Sequence, residues 1–252
     1  MCPLPTDKMN MNFEPEHWTN TQRILVILAH PDDPDFFCGA MISRWCQQGH
    51  EVHYCLLTKG QKGAQDVTVV PEELAQIRVR EQQDAARELG VKSVEFLDYV
   101  DGEVIPDLIM HKKIVRVIRK WKPQILVTSD PLNLFPNDSR INHPDHRAAG
   151  QAVVDAAFPA AGNAMFFPEL IREEGLAPHS VDEIWLSASS AGNLSVELTP
   201  YFDDKLRAIH CHRSQINIPI DQFDGFMRQR FSVDPVTGKE VFVENFRRIK
   251  LT

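Results

Sequence analysis

The sequence predicts an α/β fold: a Rossmann-like open, mostly parallel sheet with helices on both faces. Three observations predict it. Short apolar runs of strand length alternate with longer segments of helical period. The first run, Ile24-Leu25-Val26-Ile27-Leu28-Ala29, ends directly on the cluster His30-Pro31-Asp32-Asp33. A second cluster, His143-Pro144-Asp145-His146, lies a loop beyond a later run. Parallel sheets bind ligands outside the carboxyl ends of their strands, which is where both clusters fall.

Taken in order, residues 1–23 read as a polar N-terminal extension and 24–252 as a single domain. Residues 24–29 read as a strand buried on both faces. Residues 38–48 read as a helix stopped by Gly49, and 51–57 as a second strand. A polar loop with Gly60 and Gly63 follows. Residues 71–89 form a helix from Pro71 in its first turn to Gly90 just past its end, with Leu74, Ile77, Ala85 and Leu89 as core candidates. Residues 93–98 read as a strand, 107–121 as a helix carrying Leu108, Ile109, Ile114, Val115 and Ile118, and 124–129 as a buried strand. Pro144 opens a helix over 144–157. The stretch 158–178 reads as a loop or insertion. Residues 183–188 and 194–199 read as strands, and 201–211 as a helix.

Composition narrows the function classes. The chain has 252 residues, 43% of them hydrophobic, enough for a sizeable core. A formal net charge of -8 argues against nucleic acid as a partner. The five cysteines form no CxxC pair, and an odd count in a chain of this length argues against a disulfide framework. No signal peptide and no apolar run long enough to span a bilayer is visible, so the expected location is cytoplasmic.

With three strand–helix units first, the common strand order 3-2-1-4 makes the first and fourth strands neighbours at the switch point. The two clusters then share one crevice, and their imidazoles and carboxylates are ligands that suit zinc. Each residue also has a blander reading. Asp32 and Asp33 could be helix caps, His30 a satisfied core histidine, and His143 and His146 merely neighbours on one helix face. A dinucleotide site is disfavoured, because prolines and carboxylates stand where its glycine fingerprint would be.

The stretches AHPDD (29–33), LTKGQKG (57–63), IRVREQQDAARELGV (77–91), DGE (101–103), NHPDHRAAG (142–150) and KLRAIHCHRSQ (205–215) resemble the PIG-L/LmbE-like zinc-dependent N-deacetylases. The resemblance implies that His30, Asp33 and His146 bind zinc. It implies Asp32 as general base, His143 as an oxyanion-stabilising imidazolium, and Asp145 as the partner orienting His143. It also matches Arg78 and Asp101 to substrate-binding positions. Residue by residue, Arg78 could equally pair with Glu81, Asp101 could serve a turn with Gly102, and His212 reads more readily as a surface histidine than as a site-rim residue. Many members read HPDDE; here Pro34 intervenes and Asp35 follows, which leaves the subgroup open.

The activity implied is removal of an N-acetyl group from an N-acetylglucosaminyl-type glycoside, a small-molecule partner. Iron or cobalt would also suit two nitrogens and a carboxylate. The alternatives are an amidase for another acylated amine and a catalytically idle metal- or sugar-binding member of the same fold. Some relatives form trimers or hexamers, so a homo-oligomer is an expected partner state.

Overall fold

The computed structural model describes residues 11–12, 18–234 and 236–251. Most of the polar N-terminal extension expected over 1–23 lies outside the described residues. The elements run β1 (Met11–Asn12), β2 (Arg23–Leu28), α1 (Asp33–Gln47), β3 (Glu51–Thr58), α2 (Pro71–Leu89), β4 (Ser93–Tyr99), α3 (Leu108–Trp121), β5 (Ile125–Ser129) and α4 (Pro144–Asp155). They continue with α5 (Pro168–Arg172), β6 (Glu183–Ser187), β7 (Leu194–Glu197), α6 (Phe202–His210), α7 (Ile220–Arg228), β8 (Ser232–Val233), β9 (Glu240–Val241) and β10 (Val243–Lys250).

One eight-stranded sheet has the order β1-β7-β10-β6-β5-β2-β3-β4. The first four predicted strands are β2, β3, β4 and β5, and they take the expected order, with β2 beside β5 and every pairing parallel. β2 explains its own continuous apolar run. Ile24, Val26 and Leu28 pack into one core with Trp45, Tyr54 and Phe202, while Leu25, Ile27 and Ala29 pack into the other with Ile114, Ile118 and Val153. Successive side chains point to opposite faces, so a strand covered by helices on both sides must be apolar throughout. Helices α1, α2 and α6 cover the first face; α3 and α4 cover the second.

The second half departs from simple alternation. β10 runs antiparallel between β6 and β7. Five of its eight residues are polar (VENFRRIK), so it gives no apolar run to read. The stretch 158–178 is not all loop: it holds the end of a π-type turn (Ala156–Ala161) and α5. On α2, Ile77 is exposed, against its expected place in the core, because the helix buries the face carrying Leu74, Arg78, Gln82, Ala85 and Leu89. Leu108 and Ile109 are likewise exposed at the start of α3.

Two devices set the position of the loops that matter. Helix α1 breaks at Cys38 (φ -144, ψ 22), after one turn. The N–H groups freed at the break, those of Ala40 and Met41, donate to the Glu244 carboxylate on β10 at 3.2 and 3.0 Å. Lys205 on α6 closes the junction, donating to Glu244 Oε1 at 2.6 Å and to the Phe36 carbonyl at 2.8 Å. Helix α4 approaches the end of β5 so closely that a Cβ on Gly150 would lie 2.2 Å from the Ser129 carbonyl oxygen. Glycine at 150 therefore fixes how deeply the start of α4 sits over the sheet.

Candidate metal centre

The first turn of α1 and the first turn of α4 meet at the C-terminal ends of β2 and β5. His30 Nδ1 lies 3.3 Å from His146 Nε2 and 3.4 Å from Asp33 Oδ2. His146 Nε2 lies 3.0 Å from Asp33 Oδ1. An ion with ligands at about 2.0–2.1 Å in tetrahedral geometry holds them about 3.3 Å apart, so these three donors have the spacing of one coordination sphere.

The outer nitrogens of both rings decide which inner atoms carry lone pairs. His30 Nε2 faces Asp145 Oδ2 and Asp101 Oδ1, each at 3.2 Å. Carboxylates only accept, so Nε2 carries the proton and Nδ1 is the free donor. His146 Nδ1 faces Asn142 Oδ1 at 3.0 Å, which leaves Nε2 free in the same way. Two lone pairs and a carboxylate converging within 3.4 Å repel one another unless a cation lies between them. The surrounding carboxylates call for positive charge at this point, either a second proton on His30 or a metal ion that displaces it. Burial lowers the pKa of His30, yet Asp33, Asp101 and Asp145 outweigh it and carry it up to about 12. Burial alone would raise Asp33, but His146 and His30 hold it far below the usual carboxylate range. The donor set fits a divalent metal. His143 also brings a ring nitrogen within 4.8 Å of the nitrogens of His30 and His146.

Asp32 stands beside this cluster in a left-handed backbone conformation (φ 86) that only glycine adopts freely. Three contacts hold it there. Its N–H donates to Gln82 Oε1 at 2.8 Å. Arg78 Nη2 donates to Asp32 Oδ2 at 3.2 Å and to the Pro31 carbonyl at 2.7 Å. Gln82 is held in turn, since its Nε2 donates to Asp35 Oδ2 at 2.9 Å, and His212 Nε2 meets the same oxygen at 2.8 Å. Burial pushes the Asp32 carboxyl up to about 6, against the pull of Arg78, so a proton acceptor near neutrality sits next to the three donors.

His143 caps α4: its Nδ1 accepts the Asp145 N–H at 3.2 Å, which places the ring proton on Nε2. Its edge meets the His30 ring at a centroid distance of 4.7 Å. Burial and the His30 and His146 rings lower its pKa, outweighing Asp145 and Asp101. A neutral ring donating from Nε2 fits this environment better than the expected imidazolium.

The family described as PIG-L, GlcNAc-PI de-N-acetylase, matches residues 25–157, which is more than half of the chain and contains both clusters. The chain belongs to the PIG-L family. It is 35% identical over 200 residues to a diacetylchitobiose deacetylase of Thermococcus kodakarensis, covering 79% of this chain and 72% of that one. The N,N'-diacetylchitobiose deacetylase of Pyrococcus horikoshii, solved with an inhibitor, superposes with a TM-score of 0.81 at 30% identity, covering 92% of this chain and 85% of that one. A 4-carboxy-2-hydroxymuconate hydratase of Pseudomonas putida superposes with a TM-score of 0.73 at 20% identity, covering 92% and 98%. That likeness concerns the fold alone.

Within this PIG-L site, four expectations need correction. Asp145 does not orient His143 through its side chain; its carboxylate holds His30 Nε2 and accepts the N–H groups of Gly102 and Val104. Arg78 is buried and both its Nη atoms donate to protein acceptors, Nη1 to the Gly60 carbonyl at 2.9 Å, so it positions Asp32 rather than reaching out to a substrate. Gly60 has φ 67, and a Cβ there would strike the Arg78 guanidinium, which explains the glycine in that loop. Asp101 is also buried, shared between His30 Nε2 and the Lys62 N–H, so it too faces the cluster from behind. His212 is fully buried, not a surface residue. Gln82, Asn142 and the Lys205–Glu244 pair were not singled out from the sequence. For Asn142 a signal existed: it precedes HPDH and sits four residues before His146.

Proposed function

We propose that the protein is a metal-dependent N-deacetylase that hydrolyses the acetamide of an N-acetylglucosaminyl-type glycoside to acetate and a free amine. One observation carries the reading. Three metal-suited donors converge beside an acid–base carboxylate, Asp32, and an N–H donor, His143, that a merely metal-binding protein has no need of.

In this reading His30 Nδ1, His146 Nε2 and Asp33 hold the ion, with zinc as the first choice for two imidazoles and a carboxylate. When bound, such an ion supplies a Lewis acid and lowers the pKa of water. Asp32 takes a proton from the attacking water as its oxygen adds to the acetamide carbonyl carbon. His143 Nε2–H donates to the carbonyl oxygen as negative charge grows there. Asp32 then gives its proton to the departing nitrogen as the C–N bond breaks. Arg78 and Gln82 keep Asp32 facing the reaction, and Asp101, Asp145 and Asn142 keep the two ligating rings in the required tautomers. The relatives named for diacetylchitobiose support an amino-sugar substrate.

The test is amine release from a panel of N-acetylated glycosides. Activity is expected to disappear with a chelator and return with zinc; return with iron or cobalt alone would replace the metal assignment. Asp32→Ala should keep its metal and lose turnover, whereas His146→Ala should lose the metal. Full turnover by Asp32→Ala, or full metal content in His146→Ala, would overturn the assigned roles. The described residues contain no helix long and apolar enough to cross a membrane.

A further inference from the structure

A cleft of about 330 Å³ opens beside the metal centre, between the first turn of α1 and the start of β10. This is at the low end of the size range of small-molecule sites. One of its walls touches a proposed ligand, and another touches the residue that holds that ligand. The Phe37 ring meets the His146 ring edge-on at a centroid distance of 5.2 Å. The Asn133 carbonyl accepts a hydrogen bond from Asn142 at 2.8 Å, and Asn142 holds His146.

The polar groups of the cleft are unevenly satisfied. Lys205 and Glu244 neutralise each other. Asn133 is buried, and its Oδ1 has no partner among the described residues, while its Nδ2 donates to the Ala188 carbonyl. That leaves an acceptor for a ligand hydroxyl. Arg230 lines the cleft with no carboxylate in reach among the described residues, its guanidinium resting near the Phe226 ring. Several other arginines of this acidic chain are ion-paired, as in Arg23–Glu51, Arg116–Glu174 and Arg248–Glu183. A second arginine, Arg140, is close enough to repel Arg230: partial burial and this like charge both lower its pKa. A guanidinium with no carboxylate in reach among the described residues, lining a cleft that abuts the reacting centre, is an anion-seeking group.

We infer that this cleft is the subsite for the part of the substrate beyond the acetamido sugar, and that this part carries an oxyanion, a carboxylate or a phosphoryl group, received by Arg230. The inference rests on the deacetylase reading and sharpens it. It separates this chain from the relatives named for a neutral disaccharide.

The test compares three N-acetylglucosaminides: diacetylchitobiose, the carboxymethyl glycoside and the 1-phosphate. The metal-loaded wild type is expected to favour the two anionic compounds in kcat/KM by about tenfold, through KM, the scale of one charge-assisted hydrogen-bonded pair. Arg230→Gln should bring the anionic-to-neutral ratio close to one, and Arg230→Lys should restore part of it. The preference should also shrink as salt is raised. A wild-type ratio near one, or a ratio unchanged in Arg230→Gln, would overturn the inference. Which of the two anionic compounds has the lower KM identifies the anion. If no glycoside is deacetylated, the functional reading fails, and calorimetric binding of the same three compounds decides the subsite alone. Anion binding weakened about tenfold in Arg230→Gln would uphold it, and equal binding by both proteins would end it.

Discussion

Gln82, in the middle of α2, accepts the backbone N–H of Asp32 at 2.8 Å and so fixes the one left-handed residue of the HPDD turn. Its amide cannot rotate, because Nε2 is committed to Asp35, and Asp35 is committed to His212. The carboxylate proposed as the base is thus aimed by a helix that contributes no proposed metal ligand.

Gln82→Glu should therefore lower kcat with little change in metal content. Its carboxylate would repel Asp35 and no longer bridge the two segments. A displacement of about 1 Å at a reacting group costs on the order of 10²-fold in rate. Steady-state kinetics beside metal analysis would check this, and a fall in metal content matching the fall in kcat would refute it.

Asn142→Ala removes the acceptor that fixes the tautomer of His146. Loss of such a supporting hydrogen bond lowers metal affinity by roughly 10–100-fold. Competition with a chromogenic chelator would measure it. Unchanged affinity would mean that His146 keeps its tautomer by other means.

Lys205→Met should destabilise the protein by roughly 3–5 kcal/mol, because it strands the buried Glu244 charge. Adding Glu244→Gln should recover part of the loss, since the amide oxygen can still accept from Ala40 or Met41 without carrying charge. Urea unfolding of the two variants would compare them; a double variant no more stable than Lys205→Met would contradict this account.

Glu183→Gln tests the pairing of β6 with β10. Burial would raise Glu183, but Arg248 and Trp185 outweigh it and lower its pKa from 4.5. A carboxylate depressed on folding stabilises the native state above its unfolded pKa and loses that contribution as pH falls through the folded value. The variant should be less stable by roughly 1–3 kcal/mol at pH 7, and the gap should close progressively below pH 4.5. A gap independent of pH would remove the charge from the explanation.

The parts of this protein that could be read from the sequence are those whose cause is local. β2 and β5 are continuous apolar runs because both of their faces are covered, and the two clusters announce themselves as His/Asp groups at strand ends. Pro71 and Gly90 bracket α2 as expected. What escaped reading depends on distant partners. β10 is polar along more than half its length because Glu244 and Arg248 serve α1 and β6, so no period betrays a strand. Arg78 and Asp101 match substrate contacts only through the family resemblance, and the partners nearest in sequence, Glu81 and Gly102, are not the ones they take; those lie in other loops. His212 reads as a surface residue until Asp35 is brought against it. The interior position of Ile77 failed for a related reason: α2 turns Arg78 and Gln82, rather than a full apolar stripe, towards the site.

The placement of β10 bears on biosynthesis. A nascent chain on the ribosome acquires both proposed metal-binding turns well before it acquires Glu244. Until that strand slots between β6 and β7, the break in α1 lacks the Glu244 carboxylate that accepts its exposed amides. The seat of α1 is thereby completed only with the last strand of the sheet, after both turns that carry the proposed ligands have been made.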